Sequence, residues 1–583
     1  MLHTLTRSLR ENKGPALVTV LLSALEVVFE IVIPLFMSNL IDFGIEGGSM
    51  AAVWKFGAFL LLLAAFQLAT GVLAARIAAR ASVGFAANLR EDMYDNVQTF
   101  AFSNIDKFST ASIVTRLTTD TTNVQNAFQM LMRMAIRAPV MLVFSMVVSF
   151  RISRDISMTF LIILPILALA LFFIIRSVFP VFSRVFRTYD ELNNVVQENV
   201  RGIRVVKSFN QERHEIGKFG AISERIYKDF SKGERLITLN APLMQFCIYT
   251  CMIVISWLGA KAIIASGNDP ALGLPTGNLT ALITYTMQIL SSLMMLSMVF
   301  AMLTISLSSA RRIAEVLEER SDIPQPEQPV MTVRNGAVDF DHVSFVYASK
   351  ADKKVLDDID LHIRSGETIG IIGGTGASKS SLVQLIPRLY DVTGGKLTLG
   401  GVDVRDYDLD TLRGAVAMVL QKNELFSGTI AENLRWGNEN ATDEQLRHAC
   451  KLACADEFIS AMPDGYDTHI EQGGTNVSGG QKQRLCIARA LLKKPKVLIL
   501  DDSTSAVDTR TDAQIQQALS TYIPDTTKII IAQRISSVQN ADRIVVLDDG
   551  HIDAVGCHDE LLRTCEIYRE VYESQQKGGE DDA

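Results

Sequence analysis

Two stretches of twenty residues, 56–75 and 156–175, contain no charged side chain. A helix of about twenty apolar residues is long enough to cross the roughly 30 Å hydrocarbon core of a membrane. Four further apolar stretches lie at about 15–41, 128–150, 237–260 and 278–310, and charged residues interrupt two of them. The sequence therefore predicts six membrane-spanning helices in contact with a lipid bilayer.

The connections between these predicted spans alternate in length and charge. Two long polar connections, 76–127 and 176–236, are rich in arginine and lysine, and the short ones are not, apart from Arg151 and Arg154. Positively charged connections stay on the cytoplasmic side of a membrane. The long connections and the basic N-terminus are therefore predicted to be cytoplasmic. Because the long connections contain few helix breakers, the spans are expected to continue as helices well beyond the bilayer.

Charge is concentrated in the second half of the chain. Hydrophobic residues make up 48% of the sequence, yet charged residues still make up 21%, which a uniformly membrane-buried protein would not tolerate. A linker with three prolines is predicted at 321–336, after a membrane domain at 1–320. From 337 to 574, short β-rich runs, the first of them at 343–347, alternate with helical stretches, which predicts an α/β domain with a largely parallel sheet. The acidic tail 575–583 is predicted to be disordered.

Composition excludes two classes of function. The net charge of -8 argues against nucleic-acid binding, which requires a basic surface. The seven cysteines are scattered without metal-ligand spacing, and we interpret them as reduced cytosolic thiols. Cys450 and Cys454 fall on one helix face, but two ligands do not close a zinc site, so packing is the favoured interpretation.

A glycine-rich run follows one of the apolar strands and precedes a helical stretch. It reads Gly373-Gly374-Thr375-Gly376-Ala377-Ser378-Lys379-Ser380-Ser381. In this context the backbone N–H groups and the helix N-terminus are expected to surround phosphates, with Lys379 at the β and γ oxygens and Ser380 on Mg²⁺. Glycine is expected where this chain has Ser378; the added Cβ either tightens the loop around the phosphates or costs backbone strain, and nucleotide binding is expected to survive.

Two further motifs point to the same chemistry. The apolar run Val497–Leu500 ends in Asp501 and Asp502, so a buried strand delivers a carboxylate at the sheet edge where open α/β sheets bind ligands. Asp501 is the expected second Mg²⁺ ligand. The run Ser478-Gly479-Gly480-Gln481 is a turn that opens a helix, which suits either an anion site or a simple helix cap.

Together, in this order, these motifs resemble the ATP-binding cassette (ABC) transporter family, and the resemblance covers essentially the entire chain. The membrane half precedes the cassette in one polypeptide, as in the exporter branch used by multidrug and lipid transporters; importers usually place these parts on separate chains. The resemblance implies ATP and Mg²⁺ as ligands and adenine stacking by Tyr347. It also implies that Gln421 is a Mg²⁺ ligand, in the loop that senses the metal and couples to the membrane domain. It also assigns a dimer-spanning loop to 505–508 and coupling helices to 101–108 and 205–212.

Two further residues depart from the family pattern. The catalytic glutamate position holds Asp502, and the switch histidine position holds Gln533. A shorter carboxylate and a neutral amide predict slow hydrolysis at this chain's own site. In the family each ATP lies between the phosphate loop of one cassette and the SGGQ motif of the other, and Ser478, Gly479, Gly480 and Gln481 are intact here. The sequence therefore predicts a heterodimer with a second half-transporter; the alternatives are a homodimer, or an ATP-binding regulatory or channel subunit without significant turnover.

The membrane half offers two features for substrate contact. Glu26 and Glu30 lie one helical turn apart in the first span, and either bind cationic substrates or pack against Arg133, Arg137 or a second subunit. The sixth span contains the methionines 287, 294, 295, 298 and 302. They suit varied apolar ligands, although lipid or core contact is the commoner role of methionine. The sequence predicts export of small amphipathic or hydrophobic molecules across the cytoplasmic membrane.

Overall fold

The computed structural model describes residues 1–266, 273–347, 354–502 and 507–580. The chain divides into two compact units, one comprising Met1–Gln98 with Thr110–Glu319, and the other comprising Thr99–Ser109 with the chain from Arg320 onward. The boundary near 320 lies where the sequence predicted the end of the membrane domain. The segment Thr99–Ser109, which falls within the predicted membrane domain, instead belongs to the second unit, because its contacts are with residues beyond 320.

Most of the described residues up to Glu318 are helical. Its helices are α1 Leu2–Arg7, α2 Lys13–Asn39, α3 Met50–Gln98, α4 Phe102–Lys107, α5 Thr110–Thr115, α6 Thr121–Ile152, α7 Arg154–Arg201, α8 Ile203–Ser208, α9 Glu212–Thr238, α10 Asn240–Ser266 and α11 Thr276–Glu318. Helix α4 lies in the second unit and the others in the first.

Six helical segments among the described residues are long and apolar enough to cross a membrane: Arg10–Glu46, Met50–Gln98, Thr110–Ile152, Arg154–Arg201, Glu212–Ala265 and Thr276–Glu318. The six predicted spans are thereby confirmed. At 1.5 Å per residue, the 49 residues of α3 extend for roughly 70 Å, more than twice the thickness of the hydrocarbon core. The prediction that the spans continue beyond the bilayer is confirmed as well.

The second unit contains strands β1 Val338–Phe345, β2 Leu356–Ile363, β3 Thr368–Gly373, β4 Gly394–Leu399, β5 Val402–Asp403, β6 Val416–Val419, β7 Gly428–Thr429, β8 His469–Ile470, β9 Val497–Asp501, β10 Thr527–Ile531, β11 Arg543–Asp548 and β12 His551–Gly556. Its remaining helices are α12 Lys379–Gln384, α13 Leu409–Ala415, α14 Ile430–Arg435, α15 Asp443–Leu452, α16 Asp456–Ser460, α17 Gly479–Leu492, α18 Thr509–Tyr522, α19 His558–Thr564 and α20 Glu566–Glu580.

The larger sheet has the strand order β12-β11-β3-β10-β9-β6. Five neighbouring strands are parallel, and only the edge strand β12 pairs antiparallel, so the prediction of a largely parallel sheet is confirmed. A second sheet, β2-β1-β4-β5, is antiparallel throughout. The run at 343–347, expected in the parallel sheet, contributes to β1 of this second sheet instead.

The central strands of the parallel sheet are covered on both faces. All five residues of β9 are buried, and so are all five of β10. Successive residues alternate between two cores: Val497 and Ile499 pack into one, and Leu498 and Leu500 into the other. Burial on both faces explains why these strands are apolar without alternation, the feature by which the sequence identified them.

The two ends of the second unit differ in part from expectation. Residues 320–337 are non-helical, as the prolines predict, but Val330 pairs with the backbone at Asp406 and Tyr407, so the segment packs partly on this unit. Helix α20 ends at Glu580, so residues 575–580 are helical and not disordered as predicted. Residues 581–583 lie outside the described residues.

Candidate nucleotide site

The phosphate loop joins β3 to α12. Its first glycine, Gly373, faces β11 so closely that an added Cβ would lie 2.2 Å from the carbonyl oxygen of Leu547. Gly376 has φ +88°, where side chains are rarely tolerated. Ser378 also has a left-handed backbone, with φ 67° and ψ 22°. Glycine is expected there, and the left-handed geometry of a residue with a Cβ costs about 1 kcal/mol.

Lys379, the first residue of α12, reaches back across the loop. Its Nζ donates hydrogen bonds to the carbonyl oxygens of Gly373 at 2.7 Å and Gly374 at 2.8 Å. Burial lowers the pKa of this ammonium group, while the charges of Asp502 and Asp501 raise it. The cationic end is therefore held inside the loop, where the sequence predicts phosphate oxygens.

Ser380 and Asp501 meet at the carboxyl end of the sheet. The Ser380 hydroxyl donates to Asp501 Oδ1 at 3.0 Å. Burial raises the pKa of the Asp501 carboxyl, and the hydrogen bond from Ser380 opposes that rise. Two neighbouring oxygen donors fit Mg²⁺, which usually takes one or two protein ligands and completes its shell with water and phosphate. In the described part of the chain, no group of three His, Cys, Asp or Glu residues could form a closed metal site.

Asp502 lies beside this pair and accepts hydrogen bonds from two amides. Gln533 Nε2 donates to its Oδ2 at 2.8 Å, and Gln421 Nε2 approaches the same oxygen at 3.4 Å. Burial raises the pKa of the Asp502 carboxyl, and the Gln421 amide and the Lys379 charge oppose the rise. The structure thus brings together Asp502, Gln533 and Gln421, which the sequence assigned to the same site. Gln421, predicted as a Mg²⁺ ligand, contacts Asp502 through its amide nitrogen.

Tyr347 lies on the other side of the phosphate loop. Its hydroxyl and the Ser381 Oγ are 2.8 Å apart. Its ring meets Phe345 at a centroid distance of 4.8 Å and Tyr390 at 5.1 Å, both edge-on. The residue is nevertheless 45% exposed. A ring fixed at its edges and open on its surface can stack on a planar base, the role predicted for it.

The run Ser478–Gln481 begins α17. The Ser478 hydroxyl accepts from the Gln481 N–H at 3.3 Å, and the Gln481 side chain accepts from the Ser478 N–H at 2.9 Å. This capping box fixes the start of the 14-residue helix. The two interpretations of this run, anion site and helix cap, are compatible, because the glycines that follow the cap leave backbone N–H groups at the helix N-terminus. Of the predicted dimer-spanning loop 505–508, residues 505 and 506 lie outside the described residues.

Sequence reasoning missed two residues close to the site. The Tyr390 hydroxyl donates to Asp106 Oδ2 at 2.8 Å, so it connects the Tyr347 cluster to α4. Gln575 in α20 hydrogen-bonds the backbone on both sides of Arg534. Neither residue belongs to a local motif, and only tertiary contacts bring them to the site. Helix α4 lies within the predicted coupling segment 101–108. Of the other predicted segment, 205–212, only 205–208 lie in α8, which begins at Ile203.

Comparison with known proteins gives two family matches. Residues 16–308 match the ABC transporter transmembrane region, and residues 356–505 match the ABC transporter domain. The chain belongs to the ABC transporter family. The ABC transporter ATP-binding protein YfiB of Bacillus subtilis (strain 168) is 36% identical over 558 residues, which is 96% of each chain. The ABC transporter ATP-binding protein Rv1273c of Mycobacterium tuberculosis (strain H37Rv) is 33% identical over 99% of this chain and 98% of its own length.

A solved structure of a bacterial Atm1-family ABC exporter with ATP bound has the same fold. It aligns with a TM-score of 0.79 at 24% sequence identity, over 97% of this chain and 98% of its own. The predicted fold class, six membrane helices followed by an α/β nucleotide-binding domain, is therefore confirmed. This ABC transporter chain combines a multi-pass membrane region with an ATP-binding domain, so ATP drives its transport. Its partner, its substrate and the rate at its own ATP site stay predictions.

Proposed function

We propose that this ABC transporter chain is one half of a heterodimeric exporter, and that its own ATP site is the slower of two. The observation that carries this proposal is the pair formed by Asp502 and Gln533, 2.8 Å apart. In the family pattern these positions hold a glutamate and a histidine. The chain resides in the cytoplasmic membrane, with its N-terminus and ATP-binding domain in the cytoplasm, and exports small amphipathic or hydrophobic molecules.

The slow site follows from the reach and charge of these two side chains. A general base must lie within about 2.6–3.2 Å of the proton that it removes. Aspartate is one methylene shorter than glutamate, and a misplacement of roughly 1 Å costs on the order of 100-fold in rate. Gln533 and the nearby Gln421 amide orient Oδ2 of Asp502, but they do not extend the reach of the carboxylate. Gln533 is neutral, so it can hydrogen-bond a γ-phosphate but cannot supply the positive charge of an imidazolium.

The ligand-binding parts of the site are complete. Lys379 is held within the phosphate loop, and Ser380 and Asp501 provide adjacent oxygen donors for Mg²⁺. The capping box at Ser478 gives the SGGQ motif a defined geometry, suited to completing the ATP site of a partner. ATP binding with slow turnover at one site, and an intact SGGQ contribution to the other, is the role proposed for this half of a heterodimer.

Steady-state hydrolysis by the full chain in lipid tests the proposal. Alone, the wild-type protein should hydrolyse Mg-ATP slowly, and the double variant Asp502→Glu with Gln533→His should raise kcat by at least about tenfold, with little change in KM. Asp501→Asn is the matched control, since it removes the expected Mg²⁺ ligand and should abolish the gain. Rapid hydrolysis by the wild-type chain without a partner, dependent on Asp502, would establish the homodimer instead.

Transport is measured separately from hydrolysis. Co-expression with a half-transporter that has an intact glutamate and histidine should produce ATP-dependent efflux of a hydrophobic dye from vesicles. Efflux should disappear when the partner's catalytic glutamate is replaced by glutamine. ATP-gated ion conductance without dye efflux would favour the channel alternative.

A further inference from the structure

The loop that contains Gln533 is held by a side chain from the far end of the sequence. Gln533 follows β10, and Gln575 lies near the end of α20. Gln575 Nε2 donates to the Gln533 carbonyl oxygen at 2.8 Å. Its Oε1 accepts from the Ile535 N–H at 2.9 Å. One side-chain amide therefore satisfies an acceptor and a donor that lie two residues apart.

The Gln575 side chain makes the same two hydrogen bonds to the loop as a residue of a neighbouring parallel strand would. In a parallel sheet, one residue bonds to two residues of its neighbour that are two positions apart. The Gln575 amide makes the same pair of contacts just beyond the point where β10 ends at Ile531. It therefore extends ordered pairing into a loop that has left the sheet. A backbone with both hydrogen bonds satisfied has far fewer accessible conformations.

The loop is also fixed at its other end. The Ser537 hydroxyl donates to Asp512 Oδ2 at 2.6 Å, which joins the loop to α18. Helix α20 is itself anchored to the core, because Tyr568 is fully buried and its hydroxyl lies 2.8 Å from His558 Nδ1. Gln575 therefore projects from a helix whose Tyr568 is anchored in the core, and its amide contacts the loop through both its nitrogen and its oxygen.

We propose that Gln575 is a positioning residue of this ATP site: it fixes the backbone at Gln533 and Ile535, and so keeps the Gln533 side-chain amide on Asp502. Gln575 acts only through Gln533 and does not contact the reacting atoms. The proposal rests on the ATP site and not on the heterodimer, so it holds whether the site turns over slowly or quickly. Helix α20 is then part of the structure that positions the loop containing Gln533.

Hydrogen exchange on the full chain in lipid tests the contact without any turnover. Gln575→Ala should speed exchange of the Ile535 amide, in a peptide covering 532–538, by about fivefold or more. Gln576→Ala is the matched control, since Gln576 lies next on the same helix and donates to Tyr572 at 2.9 Å. Gln575→Glu keeps the acceptor for Ile535 and should protect that amide. Unchanged exchange in Gln575→Ala would overturn the proposal.

A double-mutant cycle tests whether the effect passes through Gln533. Gln575→Ala should lower kcat for ATP severalfold while KM changes by less than about twofold, since the phosphate loop is untouched. In a Gln533→Ala background the same substitution should have no further effect on kcat. An equal loss in both backgrounds would mean that Gln575 merely stabilises the fold, and would overturn the positioning role. The cycle compares the ratio of kcat with and without Gln575→Ala in each background. A fast wild-type enzyme would defeat the slow-site proposal, but these ratios would still test the role of Gln575.

Discussion

At the scale of single residues, two of the three departures from the family pattern, Ser378 and Asp502, occur where the backbone is unusual. Ser378 has φ 67° and Asp502 has φ 48°, both in the left-handed region. Non-glycine residues are uncommon there and persist when the surrounding structure fixes them. Ser378 sits between the loop and α12, and Asp502 directly follows the fully buried strand β9. Both positions are thus held by neighbouring regular structure.

Removing the Cβ at 378 should stabilise the ATP-binding unit. In Ser378→Gly the relief of left-handed strain exceeds the extra entropy of glycine in the unfolded chain, for a net gain of about 0.5–1 kcal/mol. A thermal melt of the full chain in detergent should show a Tm higher by roughly 2 °C. The reverse change nearby, Gly376→Ser at φ +88°, should lower Tm by a similar amount. A fall in Tm for Ser378→Gly would indicate that the serine hydroxyl makes a stabilising contact.

The residues that could be predicted from sequence are those that belong to contiguous motifs. Lys379 and Ser380 follow from a loop of fixed spacing, and Asp501 from the end of an apolar strand. Gln575 is 42 positions from Gln533 and carries no local signal. Only the packing of α20 determines that its amide meets this loop, and side-chain packing between distant segments is not encoded in periodicity.

At the scale of elements, α2 and α6 are joined by an ion cluster within the predicted membrane region. Arg137 on α6 contacts Glu26 Oε1 at 2.8 Å and Glu30 Oε2 at 2.7 Å. The two glutamates lie one turn apart on α2, as their spacing predicts. Of the two sequence hypotheses, the structure supports packing against Arg137. The sequence could place the glutamates on one helix face, but not identify which arginine pairs with them.

Removing the shared cation should be severely destabilising. Arg137→Ala leaves two carboxylates in the membrane region without their counter-ion, and breaking a buried pair costs about 3–5 kcal/mol. The expected result is a large fall in Tm and in the yield of monodisperse protein. Arg133→Ala is the control and should have a much smaller effect. Combining Arg137→Ala with Glu26→Gln and Glu30→Gln should restore much of the loss. Full yield of Arg137→Ala alone would contradict a structural role.

The sequence predicted the parallel sheet but not the antiparallel one, and the difference has a physical reason. The strands of the parallel sheet are continuous apolar runs because both faces are covered. Strand β2 reads LDDIDLHI and buries only alternate residues along much of its length. A half-exposed strand with aspartates on its outer face has no apolar run, so the antiparallel sheet around β1 and β2 was not anticipated.

At the scale of the whole molecule, the order of domains could be predicted but one exchange of residues between them could not. Composition separates the apolar first half from the polar second half. Thr99–Ser109 nevertheless belongs with the ATP-binding unit, through contacts such as that of Asp106 with Tyr390. Asn104 also donates to the Arg320 carbonyl at 2.9 Å. Both contacts lie within the second unit, and they are made by side chains that no composition profile reveals.

The proposed asymmetry predicts unequal effects of two substitutions in the same chain. In a complex with a partner that has an intact glutamate and histidine, Lys379→Ala alters only the slow site. Steady-state ATP turnover should then fall by less than about threefold. Gly480→Asp places a carboxylate at the N-terminus of α17, where the proposed role is to face the phosphates of the competent site. That variant should lose turnover by about 100-fold or more.

Both variants are first checked for assembly by co-purification with the tagged partner, since a failure to pair would also abolish activity. The loss of turnover in Lys379→Ala is then compared with the loss in Gly480→Asp. The absolute size of either loss is not used. In a symmetric homodimer, each ATP site is formed by Lys379 of one copy and Gly480 of the other. Lys379→Ala and Gly480→Asp should then be equally damaging. Equal losses in the paired complex would therefore reject the division of labour that Asp502 and Gln533 suggest, while leaving the ABC transporter assignment unchanged.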